Sequence, residues 1–123
     1  MFAHYEGVSL ALSLASKATR SRPNCGTYWN TLGAAQCRAG DYSAAIDSLQ
    51  NAKLLEQGGT AFDDFFLAIA HAQIGNHQRA LHQLSEGEGW MDRNAPEHPE
   101  LLRLREEARS NLLAGAETAA SAD

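Results

Sequence analysis

Lysine is nearly absent from this chain. Lys17 and Lys53 are the only two in 123 residues, and the net charge is −5. No basic stripe exists to track phosphates, and Arg20 with Arg22 is too small a patch, so nucleic acid is not the expected partner. Cysteine is scarce as well. Cys25 and Cys37 have neither C-x-x-C spacing nor a companion histidine cluster, which argues against a zinc site or a disulfide scaffold and for buried free thiols. No two of the five histidines stand at i, i+3 or i, i+4, the spacings that aim two rings at one metal. Long apolar runs are missing, since none approaches the roughly 20 residues of a membrane span. Before the stretch VSLALSLASKA the only acidic or basic side chains are His4 and Glu6, so it lacks the basic segment of a signal peptide. These absences lead to the expectation of a cytoplasmic protein with no metal, no cofactor and no membrane contact.

What is present is alanine and leucine, with three prolines and few β-branched residues. That composition suits a helical protein, and the length suits one domain burying roughly two-thirds of its unfolded surface. Sliding the chain on itself exposes an internal repeat. LGAAQCRAGDYSAAIDSL aligns with LAIAHAQIGNHQRALHQL, so that Leu32 falls on Leu67, Ala35 on Ala70, Gly40 on Gly75, Ala45 on Ala80 and Leu49 on Leu84. A partial copy lies upstream, with Ala11 before Ala45 and Ala18 before Ala52. A period of this size marks stacked helical units, none of which buries its apolar face alone.

Each full copy reads as helix, tight turn, helix. Gly40 and Gly75 supply a left-handed residue at a helix end, and Asp41 and Asn76 follow as caps for the next helix. Small residues inside the helices have a packing cause. Where two helices cross closely, one presents Gly or Ala so that the other's bulk can enter; Gly33 and Ala68 are that place on the first helices, Ala45 and Ala80 on the second.

These residues resemble the tetratricopeptide repeat, whose pattern runs Trp-x2-Leu-Gly-x2-Tyr, then Ala-x3-Phe, then Pro. The first full copy reads Trp29, Leu32, Gly33, Gln36, Ala45 and Leu49, with Gln57-Gly58-Gly59 in the proline place. The second has Asp64 in the tryptophan place, then Leu67, Ala68, His71, Ala80 and Leu84. The upstream half copy keeps Ala11, Ala18 and Pro23. The wording of YWNTLG, RAGDY, FDDFFLAIAHAQIG and WMDRNAP is similar to the tetratricopeptide tails of bacterial serine/threonine kinases and WD-repeat proteins. Nothing of a kinase itself is present: no Gly-rich loop, no HRD and no DFG.

The resemblance implies an all-α fold of antiparallel helix–turn–helix repeats stacked as a short right-handed α-solenoid with a C-terminal capping helix. The expected organisation is a single domain over 1–113: a half repeat at about 5–25, full repeats at about 26–60 and 61–94, and a capping helix at about 97–113. Within it the helices read as 5–20, 27–39, 42–56, 61–74 and 77–91, and the last of these is weakened by Gly87 and Gly89 at about 1 kcal/mol each relative to Ala. Leu101, Leu104, Ala108 and Leu112 form one side of the capping helix, and residues 114–123 read as a disordered tail.

Chemistry is sparse. Asp63 and Asp64 stand in the first turn of a helix, where negative charge suits the dipole. His71 reads as a structural, partly buried histidine, and no spacing proposes a nucleophile and base. The expectation is therefore not an enzyme, with no catalytic, cofactor-binding or metal-binding residues. In the family the first helices line a concave side, and the resemblance makes their outward stripes the candidate partner-binding residues. On the first unit these are Thr27, Asn30, Ala34 and Arg38; on the second they are Phe62, Phe65, Ile69 and Gln73. Phe62, Phe65 and Ile69 are either a groove or a patch covered by the N-terminal segment, the tail or a second copy.

The expected function is a non-catalytic protein-interaction module that binds a peptide or protein segment on its concave face. The alternative is a structural or oligomerisation segment of a larger helical array from a kinase-associated protein. A third, more distant reading is a small-molecule sensor using His71 and the Phe stripe. The chaperone-binding carboxylate clamp of the family needs several Lys, Arg and Asn on these stripes, and only Asn30 and Arg38 are offered. Val8, Leu10, Leu12 and Leu14 make the N-terminal helix apolar on more than one side, which predicts self-association through that end.

Overall fold

The computed structural model describes residues 2–121, with side chains described for 7–116. Among the described residues the protein is all-α, with six helices and no strand. They are α1 (Phe2–Ser21), α2 (Gly26–Arg38), α3 (Tyr42–Leu55), α4 (Ala61–Gln73), α5 (His77–Asn94) and α6 (Pro99–Ser121). The chain divides into two compact units, residues 1–59 and 60–123, with the boundary where the second sequence repeat begins.

In the first unit α2 packs against both α1 and α3. The α2–α3 turn follows from its glycine. Gly40 adopts φ +84°, and two bonds close the helix end: Gly40 N–H to the Cys37 carbonyl at 3.1 Å and Asp41 N–H to the Gln36 carbonyl at 2.9 Å. This is the Schellman arrangement, in which the left-handed residue lets the chain reverse while satisfying carbonyls that the helix leaves open. Asp41 then accepts from the Ala44 N–H, capping α3. The core of the hairpin is Leu32, Gly33, Ala35 and Cys37 against Ala45, Ser48, Leu49 and Ala52. Gly33 is small for a reason: a Cβ there would lie 2.6 Å from Leu49 Cγ. Cys25 is half-buried and Cys37 buried, both as free thiols.

The second unit repeats the turn and adds a third layer. Gly75 has φ +83°, with Gly75 N–H to the Ala72 carbonyl at 3.1 Å and Asn76 N–H to the His71 carbonyl at 2.8 Å. Asn76 makes no side-chain cap, unlike Asp41. Thr60 starts α4 with a capping box: its hydroxyl accepts from Phe62 N–H at 3.2 Å, and Asp63 accepts from Thr60 N–H at 3.0 Å. Helix α4 packs on α5 and α6, and α5 also packs on α6. Every residue of α4 from Asp63 to Ala72 is buried, the apolar ones on all sides of the helix and Asp63, Asp64 and His71 with them.

Two expectations change here. Helix α5 does not stop at 91, because Gly87 is the gap that the Phe65 ring enters; a Cβ at Gly87 would lie 2.6 Å from Phe65 Cε1. Residues 114–121, read as part of a disordered tail, continue α6. Their alanines and Leu113 are strong helix formers, and Gly115 alone does not outweigh them. Residues 122 and 123 lie outside the described residues.

Candidate partner-binding face

The eight stripe residues fall on two helices in two units, and the structure treats the two stripes differently. On α4, Phe65 has no solvent exposure and Ile69 retains 4%. Phe65 is therefore core and not groove, seated against Gly87 of α5. Phe62 is half-buried, with the His98 ring edge-on to it at 5.5 Å between centroids. Gln73 is exposed, and its amide donates to the Asn111 side chain of α6. The stripe thus meets the α6 segment at both ends, Phe62 beside His98 and Gln73 beside Asn111. The two helices run in the same direction.

The contribution of α6 to this contact is Leu101, Leu104, Ala108 and Leu112, all buried. Their spacing of three, four and four residues is that of Phe62, Phe65, Ile69 and Gln73. Two stripes with one spacing can lie in register along parallel helices, which is the signal by which the cover could have been recognised in the sequence. Arg109 holds the third layer from the other side, donating to Glu88 of α5 and to Glu106 at 3.1 Å. The Arg109 side chain is half-exposed, so the pair contributes at most about 1 kcal/mol, and the apolar stripe carries the docking.

On α2 the corresponding residues keep a surface. Thr27 and Arg38 are exposed, while Asn30 and Ala34 are half-buried on the same side of the helix. Thr27 Oγ1 lies 3.4 Å from Glu56 Oε1, within hydrogen-bond reach, and its carbonyl accepts from Thr31 at 3.0 Å, so the start of the stripe is held in place. Gly26, one residue earlier, is overlain by the Glu56 side chain. Along the stripe the chemistry runs from a hydroxyl through an amide and a methyl to a guanidinium.

His71 is buried, with both ring nitrogens lacking a protein partner. Burial pushes its pKa below the ordinary histidine value, and the nearby Arg79 charge adds to the shift. A neutral, enclosed imidazole of this kind is a packing element. Among the described residues no cluster of three or more His, Cys, Asp or Glu could hold a metal ion, and no helix is long and apolar enough to cross a membrane. Asp63 is occupied as the capping-box acid. No protein-family model, curated protein or solved structure matches this chain.

Proposed function

We propose that the protein is a non-catalytic interaction module of tetratricopeptide type, in which the outer face of α2 holds a segment of a partner protein. The observation that carries this reading is the contrast between the two equivalent stripes. The α4 stripe is apolar and already holds an amphipathic helix of its own chain, α6. The same repeat position is thus a docking face by construction, and on α2 it bears Thr27, Asn30, Ala34 and Arg38, groups suited to a polar ligand. Arg38 offers a fork of donors for a carboxylate, Asn30 an amide for peptide backbone, and Ala34 a low point between them. Phe65 and Ile69 take no part.

A displayed library of random peptides, selected against the whole chain, tests this reading. The expected result is enrichment of sequences carrying Asp or Glu. Their binding should weaken about tenfold or more in Ala34→Arg and Arg38→Glu variants that melt like the parent, since a charge-assisted hydrogen bond contributes roughly 1.5–3 kcal/mol. Peptides that bind Ala34→Arg and Arg38→Glu as tightly as the parent would overturn the assignment to α2.

A further inference from the structure

The carboxylate of Glu56 stands at the start of the α2 stripe. Glu56 is the C-cap residue of α3, and its backbone is held on both sides. Its N–H donates to the Ala52 carbonyl at 3.0 Å, and its carbonyl accepts from Gly59 N–H at 3.2 Å. From there the side chain crosses to the first turn of α2. It lies over Gly26, where a Cβ would come 2.7 Å from Oε1, and Oε1 accepts from the Thr27 hydroxyl at 3.4 Å. Glycine at position 26 is the gap that lets an acid reach the stripe.

The hairpin does not need an acid there. The repeat places Met91, Ala61 and Phe62 where the first unit has Glu56, Gly26 and Thr27. Met91 and Ala61 are fully buried and Phe62 is half-buried, so the second unit fills the same three positions with apolar groups. Glu56 and Thr27 are exposed instead. A carboxylate offers about four acceptor sites on its two oxygens, and the Thr27 hydroxyl uses one of them. The others can serve a donor that arrives from outside.

We infer that Glu56 receives a lysine or arginine of the partner segment, so that the α2 face selects a segment with a base near one end and an acid near the other. This rests on the reading of α2 as the docking face, with Arg38 holding the acid. Charge sets the match: the stripe is negative at Thr27, where Glu56 reaches it, and positive at Arg38. The segment is extended, because the Asn30 amide between the two ends pairs with backbone groups that a helix would keep for itself. From Thr27 to Arg38 the helix rises about 16 Å. An extended chain covers that in about five residues. The recognised pattern is a base and an acid about five positions apart, in either chain direction.

Displayed random peptides, selected on the whole chain and sequenced, read this out as the distance between charged positions. The expected result is an excess of Lys and Arg about five positions from the selected Asp or Glu. Selection on Glu56→Lys should erase that excess and put Asp or Glu in the same place. A merely structural role for Glu56 would change the melt and leave the charge of the ligand as it was. Glu56→Gln keeps an acceptor for Thr27 and so tests the charge apart from the contact. Synthetic peptides with and without the base should differ about two- to fivefold in affinity for the parent chain, the effect of an exposed ion pair, and should bind Glu56→Gln alike. Acidic peptides selected with no spaced base, or a base preference that survives in both Glu56 variants, would overturn the inference and leave α2 as the docking face. Peptides that need no acid and bind Arg38→Glu as well as the parent would overturn both.

Discussion

Replacing Gly33 by Ala adds one methyl group to the α2–α3 crossing, and the structure says what that group would meet. A Cβ on Gly33 would stand 2.6 Å from Leu49 Cγ, 2.7 Å from Leu49 Cδ2 and 3.3 Å from the Leu49 backbone nitrogen. Real carbon atoms do not approach so closely, so something must move. Leu49 has no exposed surface into which it could swing. Its backbone, the third neighbour, moves only if the whole of α3 shifts away from α2. Overpacking of this kind costs about 1–3 kcal/mol, while Ala in place of Gly inside a helix returns about 1 kcal/mol. The expected net loss is about 0–2 kcal/mol for Ala, and more for Leu. In a chain of this length each kcal/mol lost lowers the melting temperature by about 3–6 °C. A double-mutant cycle isolates the contact. Leu49→Ala alone removes a buried side chain and costs about 2–5 kcal/mol. In that background Gly33→Ala has room, and its effect should reverse to neutral or stabilising, a coupling of about 1–3 kcal/mol. The second unit offers a control of opposite sign, because Ala68 and Leu84 occupy the same two places and are both buried. There Ala68→Gly should destabilise, by about 1 kcal/mol from propensity with a small void added. Thermal and urea melts followed by circular dichroism measure all of these. A Gly33→Ala chain that melts higher than the parent, or additive effects of Gly33→Ala and Leu49→Ala, would refute the close-crossing argument.

Three further outcomes follow from burial and capping. Phe65→Ser should cost about 3–5 kcal/mol in urea unfolding, the range for removal of a buried aromatic, and a near-normal melt would return Phe65 to the surface. Thr60→Ala should cost about 1 kcal/mol through loss of the capping box, and Thr60→Ser should recover most of it, both read from the same melts. His71 has a folded-state pKa below its unfolded value of 6.5, so its neutral form is the one the fold favours. Stability is accordingly retained above that pH and lost as pH falls from about 6.5 towards the folded pKa. In a pH series of melts His71→Gln should flatten this part of the curve, and an unchanged slope would exclude His71 as its source.

Much of the fold was legible in the sequence, because helix ends and crossings are written in a few residue types. Gly40 and Gly75 mark two left-handed turns, and both turns close with the same pair of backbone bonds. Gly33 marks a close crossing. The boundaries of α2, α3 and α4 fall within about one residue of expectation for these reasons. The misplacements share a different cause. Phe65 and Ile69 lie on a stripe that a single hairpin does not need for its own packing, so local periodicity says nothing about whether another helix arrives. The information was held far away in the chain, in the matching spacing of Leu101, Leu104, Ala108 and Leu112. Gly87 misled for the same reason. Its helix propensity is a local property, and its value as a receptor for the Phe65 ring is visible only when α4 is laid against α5. The α6 extension was missed because small, weakly amphipathic residues in a C-terminal segment read equally as tail or helix.

The two hairpins also diverge at one polar place, and the divergence bears on why the second recruits a third helix. In the first, Ser48 of α3 donates to Gln36 of α2 at 2.6 Å, so a polar pair inside the crossing satisfies itself. The repeat places His71 and Gln83 at the same two positions in the second hairpin. There the two ring nitrogens of His71 and Oε1 of Gln83 are buried without a protein hydrogen bond. Each buried polar group left in that state costs about 1–3 kcal/mol, whereas the satisfied pair of the first hairpin contributes about 1 kcal/mol. The second hairpin must therefore find its stability elsewhere, and apolar burial is the term large enough. Phe65, Leu67 and Ile69 on α4, Met91 on α5, and Leu101, Leu104 and Leu112 on α6 are all buried, each contributing about 1.5–3 kcal/mol. Three of those seven side chains come from α6. Without α6 the hairpin would keep its polar deficit and expose the stripe that α6 covers; with it, the deficit is offset several times over. On this argument α6 is an integral layer of the second unit. A chain ending before Pro99 should lose the cooperative melt of that unit, while Gly33 substitutions continue to report on the first.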